Sequence, residues 1–225
     1  MAKGDFWASA FGIAYSTYME RPWLSRPIGR VLWGGDSKPY YDAMGAVADI
    51  PDGGTIVDCP CGAGPTLRAL RPNREVRYVA ADLSPAMLRR ARKRAQAGRL
   101  ANIEFIHADA TDLPLPSASA DLFISFWGLH CYADPQRALA EAARVLTPGG
   151  RLVAATFLRG DDSLRQRLLI RPGFGDFGQV ATAEELEAGL QTAGLTMNSS
   201  SRSGPMLFFQ ARASTEVDAT TQAPA

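Results

Sequence analysis

The spacing of apolar positions changes character at about residue 55. From there on, short runs rich in Val, Ile, Phe and Ala alternate with segments whose apolar residues recur every three or four positions, the mark of strands alternating with helices on a parallel sheet. Strands are predicted over 55–58, 76–81, 103–108, 121–127 and 151–157. A Gly-containing turn after the first leads into a helix over 65–70. The next helix opens with Ser84 as N-cap and Pro85 at its first position, and Met87, Leu88, Ala91 and Ala95 form its buried stripe. Arg89, Arg90, Arg92, Lys93 and Arg94 take its other faces and read as a solvated surface. A further helix starts near Asp134-Pro135, burying Leu139, Ala142, Ala143 and Leu146 before the turn Thr147-Pro148-Gly149-Gly150.

Three stretches depart from this alternation. Residues 1–50 are rich in aromatics, with Pro22, Pro27 and Pro39 separating short helical pieces, and are expected to form a helical lid on a core over 51–213. The stretch 158–180 carries Gly160, Pro172, Gly173, Gly175 and Gly178, a composition suited to a mobile segment that closes over a substrate. Thr182 and Glu185 make a capping box for a helix ended by Gly194. Two strands follow, 196–202 and 206–212, whose Gly204-Pro205 connection is too short for a crossover and so implies an antiparallel hairpin. Residues 214–225 read as a disordered tail.

Composition narrows the function classes. The 225 residues suit one domain, and a formal charge of +1 gives no ground for a nucleic-acid partner. The first residues lack the order of a secretory signal, so a cytoplasmic location is expected, and no apolar run is long enough to span a bilayer. Cys59, Cys61 and Cys131 read as reduced thiols. A Cys59-x-Cys61 metal or arsenic site would need a further ligand with recognisable spacing, which the sequence does not offer. Monomer and homodimer both remain open.

In an open parallel sheet, ligands bind beyond the carboxyl ends of the strands, so candidate chemistry is sought just after each one. After the first come Asp58-Cys59-Pro60-Cys61-Gly62-Ala63-Gly64, whose glycines allow close backbone approach. Asp82 ends the second strand, where a carboxylate can accept hydrogen bonds from ribose hydroxyls of either a methyl-donor or a nicotinamide nucleotide. His107-Ala108-Asp109-Ala110 follows the third, and Ser125-Phe126-Trp127-Gly128-Leu129-His130 the fourth.

Together with Asp82-Leu83-Ser84-Pro85-Ala86-Met87-Leu88, Asp109-Ala110-Thr111-Asp112-Leu113-Pro114 and Leu146-Thr147-Pro148-Gly149-Gly150-Arg151-Leu152, the first loop resembles the ordered motifs of class I S-adenosylmethionine-dependent methyltransferases. The resemblance extends over 40–212 and is strongest to the branch containing ubiquinone and menaquinone biosynthesis methyltransferases. It implies a Rossmann-like α/β three-layer sandwich, a seven-stranded mostly parallel sheet in the order 3-2-1-4-5-7-6. It also implies S-adenosyl-L-methionine as cofactor, S-adenosyl-L-homocysteine as product and a small-molecule methyl acceptor. Asp58, Cys59 and the Cys61, Gly62, Ala63 and Gly64 backbone would hold the methionine part, and Asp82 the ribose. Leu83 and Met87 would cover the adenine face, Asp109 with Ala110 would meet its edge, and Ser125 and Phe126 would lie near the donor's amino group. Pro60 departs from the pattern, which has glycine there; it removes an amide donor from the loop.

Methyl transfer from a sulfonium demands alignment more than acid–base chemistry. His130 is the candidate general base, the alternative being an oriented, substrate-shaping imidazole; His107 reads as a packed histidine. Tyr15, Tyr18, Trp23, Trp33, Tyr40 and Tyr41 either wall an aromatic, quinol or lipid-like acceptor or simply pack the lid, with Tyr15 and Tyr41 the cofactor-side aromatics. Two other functions share the first loop and Asp82: a nicotinamide-dependent oxidoreductase and a catalytically silent binding protein.

Overall fold

The computed structural model of the chain describes residues 17–18, 21–32, 34–159 and 180–215. Tyr15, Trp33, most of the 158–180 segment and residues 216–225 of the expected tail lie outside the described residues. The elements, in chain order, are α1 (Pro22–Leu32), α2 (Lys38–Ala43), a 3-10 turn (Met44–Val47), β1 (Thr55–Asp58), a second 3-10 turn (Pro65–Ala69), β2 (Arg77–Asp82) and α3 (Pro85–Ala97). There follow β3 (Ile103–His107), β4 (Ala120–Phe126), α4 (Pro135–Val145), β5 (Leu146–Phe157), α5 (Ala183–Thr192), β6 (Leu195–Ser203) and β7 (Met206–Ala213).

The seven strands form one sheet in the expected order, β3-β2-β1-β4-β5-β7-β6. β3 through β5 run parallel, while β7 lies antiparallel between β5 and β6, so the terminal hairpin is as read from the short Gly204-Pro205 connection. Alternation along each strand sends side chains to opposite faces. Val57, Val79, Phe123 and Leu152 pack with Leu139 and Ala142 of α4 and with Leu186 and Leu190 of α5. Ile56, Tyr78, Leu122 and Val153 pack on the other side with Leu88 and Ala91 of α3 and with Tyr40 and Val47.

Local chemistry fixes where the helices begin. Ser84 Oγ accepts the Met87 amide and Pro85 occupies the first turn of α3; Asp134 Oδ1 accepts the Arg137 amide at 2.9 Å before α4. The capping box forms as expected: Thr182 Oγ1 accepts the Glu185 amide at 3.1 Å, and Glu185 Oε2 accepts the Thr182 amide at 2.8 Å.

Several boundaries need correction. The 65–70 segment is a single 3-10 turn, because Leu70 is already extended (φ −75°, ψ 138°). β2 is shifted by one residue, so that Asp82 belongs to the ladder opposite His107. β5 starts at Leu146, which pairs with Ala120, and the expected turn at 147–150 is an irregularity before Leu122 pairs with Arg151. Order also extends past 213, since the Ser214 amide donates to the Gly194 carbonyl at 3.1 Å.

Candidate active site

At the carboxyl edge of β1 and β2 the chain builds a compact polar loop. Asp58 is buried, and its Oδ2 accepts the Tyr78 hydroxyl at 2.6 Å. Burial pushes the Asp58 carboxyl up to about 7, against the pull of that hydrogen bond. Three residues later the backbone folds toward β2: the Cys61 amide donates to the Ala81 carbonyl and the Gly62 amide to Asp82 Oδ2, both at 2.8 Å. Asp82 Oδ1 accepts the Ser84 amide at 2.8 Å. Burial raises the Asp82 carboxyl above its usual range, with the two amides acting in the opposite direction.

Gly62 and Gly64 serve different ends. Both have positive φ, +53° and +75°. A Cβ on Gly64 would lie 2.7 Å from Leu67 Cδ1 and 3.2 Å from Ala91 Cβ, so its bareness lets the loop pack on α3. A Cβ on Gly62 would meet nothing within 4 Å among the described residues. The loop is therefore closed beneath Gly64 and open above Gly62, beside a buried carboxylate and half-exposed Leu83. That arrangement fits a nucleoside cofactor of the expected kind: open space over a tight backbone turn, with a held acid at its margin.

The other expected residues fall around this opening to different degrees. Asp109 is exposed, and its Oδ1 accepts both the amide and the hydroxyl of Thr111, at 2.9 and 2.8 Å. Ala110, Met87, Ala63, Cys59 and Cys61 are buried; the Ala63 carbonyl is held by Arg94 at 2.7 Å. Burial pushes both thiols up, as befits small packed side chains. His107 is not packed: it is exposed, with Nε2 2.9 Å from the Leu83 carbonyl oxygen. His107 is the last residue of β3, the edge strand of the sheet, a position the sequence alone did not show.

Beyond β4 the surroundings turn aromatic. Trp127 has a left-handed backbone (φ 64°), unusual for a residue with a bulky side chain, and its indole N–H is buried without a partner among the described residues. Around it stand Tyr40, Phe157 and Phe208, with ring centroids 5.2–5.8 Å away. His130 packs edge-on against Phe157 at 5.0 Å. Its Nδ1 lies 3.2 Å from Thr156 Oγ1 and accepts the Phe157 amide at 3.5 Å, which puts the ring proton on Nε2. Burial lowers its pKa to about 3. Held by Thr156 and the Phe157 amide, the ring has the geometry of the oriented, substrate-shaping imidazole expected as the alternative to a general base.

Tyr132, Tyr78 and Thr156 were not anticipated. The Tyr132 hydroxyl donates to the Cys59 carbonyl at 2.9 Å and lies 3.2 Å from Ser125 Oγ, tying the β1 loop to the end of β4. A Cβ on Gly128 would sit 2.5 Å from Pro60 Cδ, so the proline packs tightly at the same junction. Tyr41 is half-buried, its hydroxyl 2.5 Å from Ser25 Oγ and its ring against Tyr40. Tyr18 donates to the Ser25 carbonyl at 3.1 Å, whereas Trp23 stands in solvent.

Residues 57–154 match a protein family described as "Methyltransferase domain". An uncharacterized chloroplastic methyltransferase of Arabidopsis thaliana is 30% identical over 207 residues, covering 85% of this chain and 56% of that protein. A demethylmenaquinone methyltransferase of Thermus thermophilus is 41% identical over 105 residues, 45% of this chain and 46% of that one. The chain thus spans about half the length of the curated relatives it matches. Among solved structures, a SAM dependent methyltransferase from Aquifex aeolicus superposes with a TM-score of 0.61 at 21% identity, covering 82% of this chain and 92% of that one.

Proposed function

We propose that residues 57–154, which match a methyltransferase domain, hold S-adenosylmethionine in the class I manner, and that this chain transfers a methyl group to a small molecule bound beside the Trp127 cluster. The observation that carries the reading is the pairing of open space above Gly62 with the Asp82 carboxylate held at its margin. Asp82 keeps lone pairs beyond those engaged by Gly62 and Ser84, and these suit ribose hydroxyls. Leu83 and Met87 offer an apolar surface to the adenine, and Asp109 with Ala110 its polar edge. Asp58 is a positioning residue: its carboxyl is turned to Tyr78, and it orders the loop of Cys59, Cys61, Gly62, Ala63 and Gly64 from below. Ser125, Phe126 and Tyr41 border the methionine side.

The bound cofactor supplies a methyl group on a sulfonium, an electrophile that needs an aligned nucleophile in a site kept dry. The rings of Tyr40, Trp127, His130, Phe157 and Phe208 provide apolar walls for an aromatic, quinol or lipid-like acceptor. His130 holds its Nε2 proton rather than taking one, so the acceptor brings its own ionisable group or an electron-rich carbon. One relative being a demethylmenaquinone methyltransferase agrees with this acceptor class.

Calorimetric titration with S-adenosylhomocysteine tests the cofactor half. Asp82→Asn should weaken binding by about tenfold or more, the loss of a charge-assisted pair. Unchanged affinity in a folded variant would remove Asp82 from the site. Tritiated methyl transfer to quinols, phenols, amines and fatty acids tests the other half, and binding without any product would favour the silent protein.

A further inference from the structure

We propose that the face of the sheet carrying α1 and α3 is a docking surface for an anionic lipid bilayer. The net charge of +1 hides a polarised surface. α3 carries Arg89, Arg90, Arg92, Lys93 and Arg94 and no acid, and α1 carries Arg26 and Arg30 and no acid. Across the sheet, α5 carries Glu184, Glu185 and Glu187 and no base. Arg89 and Lys93 lie one turn apart on the outward side of α3, opposite the buried Met87, Leu88, Ala91 and Ala95, and neither has an acidic partner among the described residues. Arg92 is laid over the Phe105 ring, 5.2 Å from its centroid.

Trp23 (71% exposed) and Val31 (71%), both on α1, are large apolar side chains that stand in solvent. On α1 the polarity is inverted: Ser25 and Gly29 are turned inward, while Trp23, Pro27 and Val31 repeat every four residues along the outer side. α1 rests on the Ser25, Ser37 and Tyr41 hydroxyls, and Arg26 and Arg30 are anchored to Asp36 at 3.0 and 2.5 Å, which fixes the stripe in orientation. Trp23 and Val31 are apolar groups fit to enter the acyl boundary, while Arg89 and Lys93, which unlike Arg26 and Arg30 are not paired to Asp36, are the cations that meet headgroup phosphates. α1 is tied to α2 through Ser25 and Tyr41, and α2 and α3 pack on the one cluster that contains Tyr40 and Leu88, so α1 and α3 are carried on the same side of the sheet. A nucleic acid would use the cations and leave Trp23 and Val31 without purpose.

Co-sedimentation of the whole chain with vesicles of phosphatidylcholine, with and without phosphatidylglycerol, tests this. Neither donor nor acceptor is present, so the result is independent of methyl transfer. Binding is expected to the anionic vesicles and to fall with added salt. Arg89→Glu with Lys93→Glu should weaken it by about tenfold or more, at roughly fivefold per cation near such a surface. Trp23→Ser with Val31→Ser should weaken it comparably with the fold intact by circular dichroism. Wild-type protein left in the supernatant at low salt would overturn the proposal. So would a Trp23/Val31 variant that binds vesicles like wild type while the Arg89/Lys93 variant does not, since the face would then be a plain polyanion surface.

Discussion

The carboxyl edge of the sheet divides at β1 and β4 into two halves that bury a titratable group in opposite ways. On the β1–β2 side, Asp58 is driven up to about 7 by burial against Tyr78. On the β4–β5 side, His130 is driven down to about 3 by burial among aromatic rings. Desolvation favours the uncharged form in both, which raises an acid and lowers a base. The first half is assembled from backbone amides that clasp carboxylates, the second from rings that exclude water. One is a polar grip and the other an apolar wall.

The largest expected effect follows from that opposition. Between about pH 4 and 7 native Asp58 holds a proton that the unfolded chain has lost, so its contribution to stability falls as pH rises through this window. Native His130 lacks a proton that the unfolded chain carries between about pH 3 and 6.5, so its contribution rises with pH. Each is on the order of 4 kcal/mol, and the two largely offset. Asp58→Asn should therefore give a chain whose urea stability climbs from pH 4 to 6.5, and His130→Gln one whose stability declines over the same range. Parallel slopes in the two variants would erase the contrast between the halves.

The next effect sharpens the description of the polar half. Gly64→Ala places a methyl group 2.7 Å from Leu67 Cδ1 in a left-handed backbone, and should cost about 2 kcal/mol in thermal or urea unfolding. Gly62→Ala shares the positive φ but meets open space, so it should cost about 1 kcal/mol and act mainly on cofactor affinity. Equal losses of stability would mean that the loop is not closed on one side and open on the other.

The two halves also differ in how far the sequence reveals them. The polar half was legible because its constraints are local: a glycine pair after one strand, Asp82 after the next and Ser84-Pro85 opening a helix are set by backbone chemistry within a few residues. The terminal hairpin was legible for the same reason, its logic residing in the short Gly204-Pro205 connection. The aromatic half was not. That Tyr40 would meet Trp127, or Thr156 would lie beside His130, depends on neighbours far apart in the chain and on the register of β4 with β5. His130 was found, but its burial, which bears on the choice between a base and an oriented ring, is a sum over several elements. The 3-10 turn in place of a 65–70 helix shows the same limit on a smaller scale.

Tyr132 is where the halves are joined, and its removal is the mildest test of whether they are independent. Its hydroxyl donates to the Cys59 carbonyl and lies beside Ser125 Oγ, while Pro60 packs against Gly128 at the same point. Pro60 has no amide and the Cys59 amide is given to the Ile124 carbonyl at 2.9 Å, so Tyr132 adds a second hold on this stretch through the Cys59 carbonyl. Tyr132→Phe keeps the ring and deletes the hydroxyl, leaving one carbonyl and one serine to find water, for about 1 kcal/mol of stability. If the junction transmits order from β4 to the β1 loop, S-adenosylhomocysteine affinity should drop several-fold in calorimetry although Tyr132 is not assigned to the cofactor. Should stability fall while affinity holds, each half is organised by its own neighbours and the proline needs no partner to keep the loop in shape.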